Sequence, residues 1–116
     1  MSDTILIVAG LGGAIIALVH GYLGQTIVIP SFSGGSPSMR RVNHAVFQLS
    51  TLYWFAGGIA LIYAAVFIDQ GERTIIVAMV SFLYITGAVG NLWATRGRHP
   101  GWILLTVVTG LAIIGA

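Results

Sequence analysis

TILIVAGLGGAIIALVHGYLGQTIVI, Thr4 to Ile29, decides the fold: it contains no Lys, Arg, Asp or Glu. About 20 apolar residues carry a helix across the ~30 Å hydrocarbon core of a bilayer, and this stretch exceeds that length. At about 100° per residue, Ala9, Gly13, Ala17 and Gly21 fall on one line of a helix, and Gly24 continues it. Such small-residue stripes let backbones approach closely, the main packing device where lipid offers no hydrophobic driving force. His20 projects within about 20° of Ala9 and Gly13, so it is expected to face a neighbouring helix.

The rest of the chain repeats the theme. Of 116 residues, 57% are hydrophobic and 7% charged, with a mean hydropathy of +0.97. Soluble domains carry about 25% charge, so composition alone implies a membrane protein. The N-terminus MSDTILIVAG lacks a basic leader region and is read as a retained anchor. Further apolar segments run over about 44–68, 74–95 and 101–116, the last being short. The expected fold is all-α: one domain over 1–116, a single up-down bundle of four transmembrane helices, the first over about 4–29 and stopped by Pro30. Its connections are an irregular Ser-, Gly- and Pro-rich loop (30–43) and two tight turns (69–73 and 96–100).

Charge sets the expected direction. Arg40, Arg41, Arg96 and Arg98 fall in the first and third connections, whereas Arg73 shares the other side with Asp3, Asp69 and Glu72. Basic loops stay cytoplasmic, which places the N- and C-termini outside a bacterial inner membrane. The four arginines are expected to snorkel to lipid headgroups. Trp93 and Trp102 suit the same interfacial belt.

The polar residues form the candidate site. His44, Gln48, Thr51, Phe55 and Gly58 share one face of the second helix. Val77, Val80, Tyr84, Gly87, Asn91 and Thr95 share one face of the third. Together with His20 and Gln25, the expectation is one polar pocket, or one hydrogen-bonded plug, in the cytoplasmic half: His20, Gln25, His44, Gln48, Thr51, Asn91 and Thr95, with Tyr84 as an aromatic wall.

Catalytic signals are poor. With no cysteine there is neither a disulfide nor a thiolate. The three acids lie away from the histidines, so no carboxylate orients a triad and no carboxylate pair or metal-ligand set is expected. Five arginines and no lysine give no nucleic-acid footprint. Three readings remain. The first is a non-enzymatic accessory or interaction subunit, associating with other membrane subunits or with itself, in contact with membrane lipids. The second is a module holding haem, a chlorophyll-type pigment or a quinone through His20. The third is a small transporter or channel.

HGYLGQ (20–25), RRVNHAVFQLSTLYWFAGG (40–58) and RHPGW (98–102) together resemble a group of small bacterial four-span membrane proteins of unassigned function. In that group the first helix ends in His-x-x-Leu-Gly-(Glu/Gln), a basic pair follows, and a Gly-Arg-x-His-Pro-Gly-Trp turn precedes the last helix. Gln25 stands where an acid is common, and Phe47-Gln48 where Trp-His or Trp-Gln is usual. The resemblance implies the four-span layout and directs attention to His20 and Gln48; it implies no chemistry.

Overall fold

The computed structural model covers residues 1–116 and contains helices and no strand. Four helices follow in order: α1 (Ser2–Leu23), α2 (Pro37–Phe67), α3 (Thr74–Thr95) and α4 (Gly101–Ile114). Helical winding continues beyond α1 through a wide π turn, Gly24–Val28, and a tight 3₁₀ turn, Ile29–Ser31. Pro30 therefore does not stop the winding where the sequence reading placed the end. It sits in the first turn of the 3₁₀ segment, directly after the π turn, where its fixed φ is compatible with helical backbone.

The larger correction concerns the first connection. α2 begins at Pro37, not near His44, and the irregular loop shrinks to 32–36. Ser36 is the N-cap, its Oγ accepting the Met39 N–H at 3.2 Å, and Pro37 occupies the first turn. Gly35, at φ 84°, makes the reversal that a side chain would oppose. The Ser, Gly and Pro residues that read as loop are thus the start signal of a longer helix. α4 closes two residues before the chain end, with Gly115 N–H bonded to Leu111 O at 2.9 Å.

Sequential helices pack antiparallel in a ring: α1 lies against α2 and α4, and α3 completes it against both. The seam between α1 and α2 is the tightest. A methyl group placed on Gly10 or Gly58 would lie 2.5 Å from the other's carbonyl oxygen. Ala9, Gly13, Ala17, Gly21 and Gly24 are all buried, so the stripe on α1 is spent inside the bundle. Leu6, Leu61, Leu105 and Tyr84 are the largest side chains fully withdrawn from the surface.

The α3–α4 turn is built from two left-handed residues, Arg96 (φ 51°) and Gly97 (φ 75°). Gly97 N–H reaches back to Leu92 O at 2.9 Å and Arg96 N–H to Trp93 O at 3.4 Å, satisfying carbonyls at the end of α3. At the opposite end, Arg73 is 5% exposed. It is ion-paired to Asp3 and donates to the carbonyls of Ile68 and Ala65. The sequence reading treated Arg73 as a weight in the charge balance only. Its role is to clamp the start of α1 and the end of α2 to the entrance of α3.

Three helical stretches, Ser2–Ser31, Pro37–Phe67 and Thr74–Thr95, are long and apolar enough to cross a membrane, whereas Gly101–Ile114 is shorter. Their apolar side chains point largely outward; Ile75, Phe82 and Trp93 are among the most exposed. An apolar surface of this continuity is the reverse of what a water-soluble monomer presents.

Candidate functional site

Helical geometry brings some of the polar residues together and separates others. His20 is half-buried on α1 and meets a strip of α2 adjacent to the face expected from sequence. Its ring stacks on Phe47, with centroids 4.3 Å apart and planes 4° from parallel. Trp54 closes in at 4.5 Å and 49°. His20 Nε2 lies 3.0 Å from Ser50 Oγ.

Proton bookkeeping fixes the direction of that bond. Ser50 has a single hydroxyl proton and gives it to Phe47 O at 2.6 Å. Its oxygen must then accept from His20, which makes Nε2 the protonated ring nitrogen. Phe47, Ser50 and Trp54 recur at spacings of three and four, so a helical projection centred on His20's partner strip finds them. The neighbouring strip His44–Gln48–Thr51 carried the more polar signal.

Gln25, His44 and Gln48 form a second group. Gln48 Nε2 donates to Gly21 O at 3.2 Å and to Gln25 Oε1 at 3.1 Å. A backbone carbonyl can only accept, so the Gln48 amide is oriented by Gly21. The atom Gln25 presents is therefore its oxygen, and His44 Nε2, 3.0 Å away, must donate to it. One carbonyl oxygen on α1 thus sets the proton arrangement of three side chains. Thr51 packs its methyl toward Gly21, and its buried Oγ1 has no hydrogen-bond partner.

Tyr84 is not a pocket wall. It is 0% exposed, and its hydroxyl donates to Trp54 O at 2.8 Å. Its ring fills the space above Gly13 and Gly57, joining α3 to α1 and α2. Asn91 and Thr95 belong to a third group at the α3–α4 turn. Thr95 Oγ1 donates to Asn91 O at 2.7 Å and accepts from His99 N–H at 3.4 Å, and His99 Nδ1 accepts from Gly101 N–H at 3.1 Å. Asn91 Oδ1 is buried without a partner. The expected single pocket or plug is therefore divided into three hydrogen-bonded groups, two of which bind α1 to α2.

The arginines divide in the same way. Arg40 Nη1 donates to Gly35 O at 3.0 Å, and the one ion pair in the chain is Arg73–Asp3. Arg40, Arg41, Arg96 and Arg98 are exposed at the end where the α1–α2 and α3–α4 connections lie. Arg40, Arg41 and His44 line an open groove of about 350 Å³ with Ile29, Phe32 and Pro37. A second groove, of about 560 Å³, runs between α2 and α3 over Ala56, Gly57 and Ala60.

The chain matches no family model, no curated protein and no solved structure at a significant level.

Proposed function

We propose that this chain is a non-enzymatic four-span protein of the bacterial inner membrane that serves as an accessory subunit to another membrane protein. The observation that carries this reading is the state of His20. Nε2, the ring nitrogen that most often takes haem or a pigment metal, is spent on Ser50 while Phe47 and Trp54 cover the ring. The histidine then acts as a clamp between α1 and α2, and the polar interior serves to hold the bundle together. Interhelical hydrogen bonds of this kind average about 0.6 kcal/mol.

With the α1 stripe consumed internally, association needs another small-residue surface. The α2–α3 groove supplies one: Ala56 and Ala60 lie on its floor between Tyr53, Tyr63 and Met79. An apolar transmembrane helix of a partner subunit can approach closely there. The excess of arginine in the connections bearing Arg40, Arg41, Arg96 and Arg98 supports an orientation with those connections in the cytoplasm and both termini outside.

The test is purification from membranes in mild detergent, with an absorption spectrum and mass spectrometry of what travels with the protein. The expected preparation is colourless and contains a second membrane subunit. Ala56→Phe, at the exposed position of the groove floor, releases that subunit without lowering the bundle's own stability, and His20→Gln leaves the partner bound. A haem- or pigment-coloured preparation that bleaches on His20→Gln, or ion flux through the purified chain in liposomes, would overturn the reading.

A further inference from the structure

We infer that the groove at the start of α2 is a binding site for the phosphodiester of one anionic phospholipid. The inference rests on the membrane-spanning reading above and adds to it a specific ligand and site. Four arginines crowd this end of the bundle, while Asp3, Asp69 and Glu72 all lie at the other. The chain's one ion pair is also at that far end. Arg40 and Arg41 therefore find no carboxylate within the protein, and their counter-ion must come from outside.

The groove is also ordered for an anion. Arg40 is tethered through Nη1 to Gly35 O, leaving its remaining N–H groups for a ligand. His44 is held in place by Gln25, which is itself bonded to Gln48 and thereby fixed to the backbone of α1. Guanidinium groups match phosphate oxygens with paired, charge-assisted hydrogen bonds. Ile29, Phe32 and Pro37 line the same groove and give it an apolar wall, which free phosphate cannot use but a glycerol backbone and acyl chain can.

Depth favours the lipid as well. From Arg41 to Ile68, at the far end of α2, the helix covers about 40 Å at 1.5 Å per residue. A bilayer measures ~40–45 Å with its headgroups. With Ile68 at one interface, Arg41 comes to the phosphate level of the opposite leaflet, in the leaflet that the arginine bias assigns to the cytoplasm.

The full-length protein, in detergent, would be titrated with phosphatidylglycerol, phosphatidylcholine or sodium phosphate and followed by native mass spectrometry. One phosphatidylglycerol is expected to remain bound, with phosphatidylcholine and phosphate failing to compete. Arg41→Gln should weaken it by about tenfold or more, the loss of one charge-assisted contact. The double variant Arg96→Gln/Arg98→Gln removes more charge from the same end but lies outside the groove, so it should bind within about twofold of the original. The Arg41 side chain makes no hydrogen bond within the chain and is exposed, so its replacement leaves the fold intact; a thermal melt in the same detergent checks this. Equal losses in the two variants would mean diffuse attraction and overturn the site. Effective competition by sodium phosphate would overturn the lipid assignment, and equal retention of phosphatidylcholine would overturn the requirement for net charge. Resistance to alkaline carbonate extraction tests the membrane-spanning reading separately, so either can fail alone.

Discussion

Replacing Gly58 by alanine probes the tightest point of the bundle. The new methyl would lie 2.5 Å from Gly10 O, 2.7 Å from Ala14 N and 3.1 Å from the Ala14 Cβ. The first two are backbone atoms and cannot rotate away. Restoring ordinary contact, which begins at 3.4 Å, requires α1 and α2 to separate locally by about 0.9 Å. A gap of 0.5–1 Å forfeits about a quarter to a half of each neighbouring dispersion contact, and overpacking of this kind costs about 1–3 kcal/mol. The strain also spreads along α1, because Gly21–Gln48 and His20–Ser50 are bonds across the same seam. Gly90→Ala and Gly110→Ala are the controls, since a methyl at either meets nothing within 4 Å. Helix propensity alone predicts that they are neutral or stabilising by up to about 1 kcal/mol. Reversible unfolding in mixed micelles, monitored by far-ultraviolet circular dichroism, measures all three. If Gly58→Ala is tolerated as well as Gly110→Ala, the seam does not depend on backbone contact and the packing argument fails.

Two further pairs of substitutions separate mechanisms in the same assay. Arg73→Met strips donors from the Ile68 and Ala65 carbonyls and should cost about 1–3 kcal/mol. Asp3→Asn should cost less than about 1 kcal/mol, because Asp3 is 59% exposed and its ion pair is screened; equal losses would show that the ion pair dominates the clamp. Tyr84→Phe removes only the bond to Trp54 O and should cost about 0.5–1.5 kcal/mol. Tyr84→Ala, which empties the space over Gly13 and Gly57, should cost about 3–5 kcal/mol, and similar values for the two would refute Tyr84's role as a packing pillar.

Much of this arrangement is legible in the amino-acid order, because helical periodicity is a local property. The buried line Ala9–Gly13–Ala17–Gly21–Gly24 and the inward positions of Val77, Val80 and Tyr84 follow from counting at 3.6 residues per turn. Helix ends are less legible where the residues serve two purposes. Ser36 and Pro37 are common in loops and common at helix starts, and only the bond to Met39 decides between them.

Partner choice lies beyond any projection of a single helix. The sequence places His20 on an inward face; which strip of α2 it meets depends on the rotation and axial offset of two helices, set by how closely Gly10 and Gly58 let them approach. A small shift would exchange Ser50 for Thr51 and Phe47 for Gln48. The same three-dimensional fact splits the expected polar pocket, because Asn91 and Thr95 turn toward the α3–α4 connection instead of joining Gln25 and Gln48. Arg73 is the plainest case: its charge is visible in the sequence, but its burial needs Asp3 brought across 70 residues of chain. Composition and period alone determine four apolar helices and the inward faces of α1 and α3; tertiary contact decides which strip of α2 turns inward and which polar atoms those faces pair.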